Sequence, residues 1–116
     1  MPSPRFPIPQ GTLDMLILQI LSLDAAHGYH IAQRLQHVSR DAVQVNQGSL
    51  YPALQRLAKK GWVAAKWGQT ASNQRAKFYR LTPEGKKQLL REESRWTELV
   101  NAISRVMRPA ATTPKE

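Results

Sequence analysis

The side chains best suited to bond-making chemistry in this sequence are three histidines, His27, His30 and His37, and none sits in a pattern that such chemistry needs. Zinc hydrolases hold two histidines one helical turn apart around a glutamate, and other metal sites add carboxylates or thiolates to imidazole. These histidines have no acidic cluster beside them and the chain has no cysteine, so they are read as capping or surface residues, and no metal or cofactor is expected. There is no glycine-rich phosphate loop, no nucleophile elbow and no close pair of carboxylates, and the acids lie toward the ends of the chain. An enzyme is not expected.

What remains is the chemistry of fixed charge. The 116 residues carry 17 Lys and Arg against 8 Asp and Glu, a net charge of +9. The excess is lopsided: from Ala42 through Pro83 there is no acid, while Arg56, Lys59, Lys60, Lys66, Arg75, Lys77 and Arg80 all fall in that window. A phosphate-binding surface requires such a field, since each neutralised phosphate releases a counterion. The competing reading is a basic face that is merely solvated.

The elements that position these charges are legible from periodicity and caps. Thr12 is read as the N-cap of a first helix, apolar on nearly every side through Leu21, which points to a core contact on one side and a subunit contact on the other. His27-Gly28-Tyr29-His30 opens a second helix with Ile31, Leu35 and Val38 inward. A third helix runs from Asn46-Gln47-Gly48-Ser49 to about Lys60 and is closed by Gly61. If Ser49 is its cap, Pro52 falls in the first turn; if Asn46 is, a local distortion should appear. Leu50, Leu54 and Leu57 form its inner stripe, and Gly48, Ser49, Pro52, Gln55, Arg56 and Lys59 form the opposite face with Tyr51 on its edge. Small residues followed by polar and basic ones suit entry into a major groove.

Trp62 to Trp67 and Arg75 to Leu81 read as a hairpin around Gly68 to Gln74, with Arg75 and Lys77 flanking the tip where a wing meets phosphate. Thr82-Pro83-Glu84-Gly85 starts a long helix reaching about Met107, with Leu89, Trp96, Val100, Ile103 and Met107 at three-four spacing. A homodimer interface is the simplest cover for that stripe. The expected organisation is an N-terminal arm over 1–10, a DNA-binding domain over 11–82, a dimerisation helix over 83–108 and a tail over 109–116. Neither a signal peptide nor a membrane span is read, so a cytoplasmic protein without a membrane partner is expected.

Three helices, a hairpin and a final long helix make a winged helix-turn-helix, mainly α with a small β-hairpin. Five ordered motifs resemble the PadR family of transcriptional regulators: Gly11 to Leu18, His27-Gly28-Tyr29, Gly48 to Leu54 with Arg56-Leu57, Gly61-Trp62-Val63, and Phe78 to Thr82 with Gly85. The match spans residues 11 to about 107 and is closest to the short subgroup, whose C-terminal part is one dimerisation helix. The resemblance implies a homodimeric repressor that reads a two-fold operator with the third helix and wing and leaves it when an effector binds. It implies that an aromatic on the last helix, here Trp96, lines a cavity between subunits; a plain dimer-core role competes with that. Gln74 departs from the wing of similar sequences, where a basic residue is common, and leaves one phosphate contact unassigned.

The residues expected to contact double-stranded DNA are Tyr29, Asn46, Gln47, Gly48, Ser49, Tyr51, Pro52, Gln55, Arg56, Lys59, Lys66, Arg75 and Lys77. Those expected at the dimer contact are Leu13, Leu16, Ile17, Ile20, Leu89, Trp96, Val100, Ile103 and Met107, with Trp96 the candidate platform for a small aromatic effector. Tyr51 and Tyr29 could equally pack on the edge of the domain. The alternatives are a protein-interaction module whose last helix docks a partner, and an architectural DNA binder indifferent to sequence.

Overall fold

A computed structural model describes residues 8–108, so the expected N-terminal arm lies largely, and the tail wholly, outside the described residues. The elements are α1 (Gln10–Leu23), β1 (Ala26–His27), α2 (Gly28–Val38), α3 (Gln47–Lys59), β2 (Val63–Gln69), β3 (Arg75–Leu81) and α4 (Pro83–Met107). The strands form one antiparallel sheet in the order β1-β3-β2.

Helix α1 starts before Thr12. Pro9 caps it through its backbone alone, its carbonyl accepting from the Leu13 amide at 2.9 Å. The apolar girdle of α1 is used inside its own chain, because the helix packs against α2, α3, β3 and α4 at once. Leu13, Ile17 and Ile20, expected at a subunit contact, are buried there with Leu18 and Leu21 and have no surface left to offer a partner. Each such side chain withdrawn from water contributes about 1.5–3 kcal/mol, so the helix is the centre of the core rather than its edge. Leu16 is partly buried against the same core.

His27 precedes α2 rather than belonging to it. It pairs with Phe78 in the β1–β3 ladder, and its Nδ1 accepts from the His30 amide at 3.4 Å as the helix N-cap. Its ring stands edge-on to Phe78, with 5.3 Å between centroids. Burial, and secondarily His30, hold its pKa below the ordinary 6.5. The folded chain therefore binds fewer protons at this site than the unfolded chain below that pH. The cap is fully effective above 6.5 and loses its contribution as pH falls toward the lowered folded value. His27→Asn keeps a capping acceptor but cannot titrate, so the drop in Tm between about pH 7.5 and pH 5.5 should shrink in that variant.

Helix α3 is capped by Asn46, whose Oδ1 accepts from the Ser49 amide at 2.9 Å. Pro52 consequently lies inside the helix, which continues through it to Lys59. Lacking an N–H, Pro52 leaves the Gly48 carbonyl without its intrahelical donor; Gly48 is exposed, so water can serve it. Gly61 ends the run at φ +78°, where a side chain would be strained, and the Trp62 amide closes back on the Leu57 carbonyl at 3.0 Å.

The hairpin is longer than expected. β2 continues through Gly68 and Gln69, which pair with Ala76 and Arg75, leaving residues 70–74 as the tip. Register divides its side chains cleanly. Val63, Ala65, Trp67 and Gln69 share a face with Leu81, Tyr79, Lys77 and Arg75, whereas Lys66 stands beside Phe78 and near Arg80 on the other. Helix α4 is capped by Thr82, whose Oγ1 accepts from the Gly85 amide at 3.0 Å and donates to the Gly61 carbonyl at 2.6 Å. The Thr82 amide donates to Trp62 O at 3.1 Å, which fastens the end of the sheet to the end of α3. Only the first turns of α4 join the core, through Gly85, Gln88 and Leu89, so Leu89 is core rather than subunit contact. Beyond them the helix is largely exposed, though Trp96 and Leu99 still lie near α1, and the molecule measures 66 × 39 × 21 Å.

Candidate nucleic-acid interface

Three elements converge on one concave surface. Gly28, Tyr29, His30 and Gln33 of α2, Tyr51 of α3, and the wing face bearing Trp67, Arg75, Lys77 and Tyr79 line a groove of about 720 Å³. Gly28 makes the convergence sterically workable. A Cβ there would come within 2.7–2.9 Å of the Tyr51 ring, so only glycine lets the ring lie against the start of α2. Tyr51 remains partly exposed, and Tyr29, also exposed, accepts from Gln33 Nε2 at 3.2 Å. Below them Tyr79 is buried, and its hydroxyl pKa is pushed up by that burial and by Tyr51.

On α3 the exposed residues are Gln47, Gly48, Ser49, Tyr51, Pro52, Gln55, Ala58 and Lys59, with Asn46 exposed at the cap. This outer face is the one expected, with one correction. Arg56 does not point outward: its Nη2 meets Asp14 Oδ1 of α1 at 2.9 Å, with the side chains 32% and 16% exposed. Its Nε is buried without a partner. The guanidinium is spent on holding α3 to α1, and the helix presents Lys59 as its outward cation. Arg56→Ala and Asp14→Ala should each destabilise the fold by about 1–3 kcal/mol, because each strands a half-buried charge. The double variant should cost less than the sum, as denaturant melts of the four proteins would read.

Lys66 is corrected likewise. It is exposed, but the strand alternation turns it to the hairpin face away from Arg75 and Lys77. Those two lie on the concave face around Trp67: Arg75 Cζ is 4.5 Å and Lys77 Nζ 5.8 Å from its ring centroid. Trp67 was not among the residues expected at the interface. The signal was present in its alternation with Ala65, but pairing it with the two cations needs the hairpin register.

A second region involves the residues of α4. Trp96, Val100, Ile103 and Met107, all expected at a subunit contact, are exposed along the helix together with Leu99 and Val106. At the inner end of this stripe Trp96 and Leu99 join Gly11, Thr12 and Met15 of α1 around a hollow of about 250 Å³ edged by Glu92 and Arg95.

A helical body that offers one helix and an adjacent β-hairpin on a surface without acids is a winged helix-turn-helix. Residues 17–91 match the transcriptional regulator PadR-like family, and the chain belongs to that family. It is a DNA-binding transcriptional regulator. The fold is similar to a transcriptional regulator from Clostridium thermocellum, at 27% identity and TM-score 0.76 over 83% of this chain and 90% of that one. It is also similar to a PadR family transcriptional regulator from Eggerthella lenta, at 30% identity and TM-score 0.74 over 86% and 85%. In sequence it is 31% identical over 103 residues to an uncharacterized protein of Lysinibacillus sphaericus, covering 89% of this chain and 94% of that protein. Among the described residues no helix is long and apolar enough to cross a membrane.

Proposed function

We propose that the protein is a cytoplasmic repressor that binds a two-fold operator as a homodimer. The outer face of α3, from Asn46 to Lys59, enters the major groove, and Arg75 and Lys77 on the wing, with Tyr29 and Tyr51 between, hold the flanking phosphates. The observation that carries this reading is the open concave surface on which Tyr29 and Tyr51 meet Arg75 and Lys77, with α3 and the wing both drawn from an acid-free stretch of chain. The apolar side of α4 supplies the subunit contact, since an exposed row of Trp96, Leu99, Val100 and Ile103 is costly to leave in water. A flat aromatic effector entering beside Trp96 would act there by changing how the two subunits sit.

Selection of bound duplexes from a random pool tests fold, pairing and specificity together. The expected product is a two-fold motif whose half-sites lie about 34 Å, or one helical turn, apart. Enrichment without any shared motif would instead make this an architectural DNA binder. Val100→Glu with Ile103→Glu should convert a dimer to a monomer in sedimentation and weaken operator binding. A wild-type chain that sediments as a monomer, its last helix ordering only with another protein, would replace this reading with an interaction module. Unaltered Trp96 emission across a panel of aromatic compounds, in a chain lacking Trp62 and Trp67, would remove the effector from it.

A further inference from the structure

Trp67 is the part of the wing to which phosphate contact alone gives no role. It is 54% exposed, stands opposite Lys77 in the ladder, and is two pairs away from Arg75, on the same face. An indole so placed leaves apolar surface in water, and both wing cations lie over its ring, at 4.5 Å for Arg75 and 5.8 Å for Lys77. Three physical consequences follow. The ring quadrupole attracts both cations. A guanidinium lying against a ring keeps its in-plane N–H donors free at its edge for an anion. Long side chains already confined by the ring lose less rotamer freedom when a phosphate fixes them.

Building on the DNA-binding reading above, we infer that Trp67 is a positioning residue: it holds Arg75 and Lys77 side by side on the concave face of the wing, ready for the phosphates of one strand. Trp67 acts through the two cations and need not touch DNA. Its neighbours support this division, because Ala65 and Gln69 are not aromatic and Tyr79, the other ring on this face, is buried.

The test is a double-mutant cycle on duplex affinity, using the sequence recovered by selection. Trp67→Leu keeps apolar bulk and removes the quadrupole; it should weaken binding about three- to fivefold per wing. In a background of Arg75→Gln with Lys77→Gln it should have no effect. Trp67→Tyr should restore most of the affinity in the unaltered background. A DNA-free readout accompanies the cycle: the side-chain methylenes of Arg75 and Lys77 should show upfield ring-current shifts by NMR that vanish in Trp67→Leu. Equal losses in both backgrounds, or no loss in either, overturn the inference. A wild-type chain that binds no duplex at all sinks the operator reading itself, a result distinct from both.

Discussion

Gly85→Ala should cost about 3 kcal/mol or more, the largest effect expected of any single methyl group added to this chain. A Cβ at that position would overlap the Trp62 carbonyl oxygen and come within 2.7 Å of Leu81 Cδ1 and 2.9 Å of the Trp62 carbonyl carbon. Two of those three atoms are backbone and cannot swing aside, so the start of α4 must back away from the sheet. Backing away breaks the links from Thr82 to Gly61 and Trp62 that register the helix on the domain. For a domain of about 100 residues each kcal/mol is worth about 4–8 °C in Tm, so a fall of 12 °C or more, at fixed protein concentration, is the readout. Gly11→Ala is the control, since nothing lies within 4 Å of its added Cβ; there the better helix propensity of alanine should leave stability unchanged or raise it by up to about 1 kcal/mol. A Gly85→Ala protein that melts with the parent would show that α4 is not locked where the structure places it.

Replacing Lys59, Arg75 and Lys77 together by glutamine should lower duplex affinity by about a hundredfold or more at 0.1 M salt. Each phosphate neutralised contributes about 0.9 to the slope of log affinity against log salt, which near 0.1 M is close to tenfold in affinity. The triple variant should therefore also flatten that slope by up to about 3 per subunit. Lys66→Gln with Arg80→Gln removes as much formal charge as two of those changes, but from the opposite face of the hairpin, and should shift affinity only through the long-range field. If the far-face pair flattens the slope more than the Lys59, Arg75 and Lys77 triple, the interface has been placed on the wrong side of the wing.

What could be read from sequence was what is encoded locally. Thr82-Pro83 and Gly61 mark helix ends through groups within one turn of themselves, and both appear where expected. Asn46 and Ser49 were both plausible caps, and choosing between them depends on a single side-chain bond that no spacing reveals. The two-residue strand Ala26–His27 is not legible at all, because its only reason to be extended is a partner more than fifty residues away in β3. Arg56 shows the same limit at the site. A helical wheel puts it on the outer face of α3, and it is Asp14, 42 residues earlier, that draws its side chain to α1. Helix α1 was misread for a related reason: an all-round apolar helix demands cover on every side, and sequence cannot tell whether its own chain or another supplies it. Here α2, α3, β3 and α4 supply most of it.

The joint at Trp62 has a mechanical consequence. Its amide is tied to Leu57 at the end of α3, its carbonyl receives Thr82 at the end of β3, and Gly85 of α4 presses on that carbonyl within the next helical turn. The end of α3, the hairpin and the start of α4 are thereby joined without a linker between residues 82 and 83, and Pro83 fixes the first backbone torsion of α4. Were two copies to pair through α4, as proposed, the gap between their α3 helices would be set like that of a caliper without a pivot, adjustable only at the contact between copies or by flexing of α4.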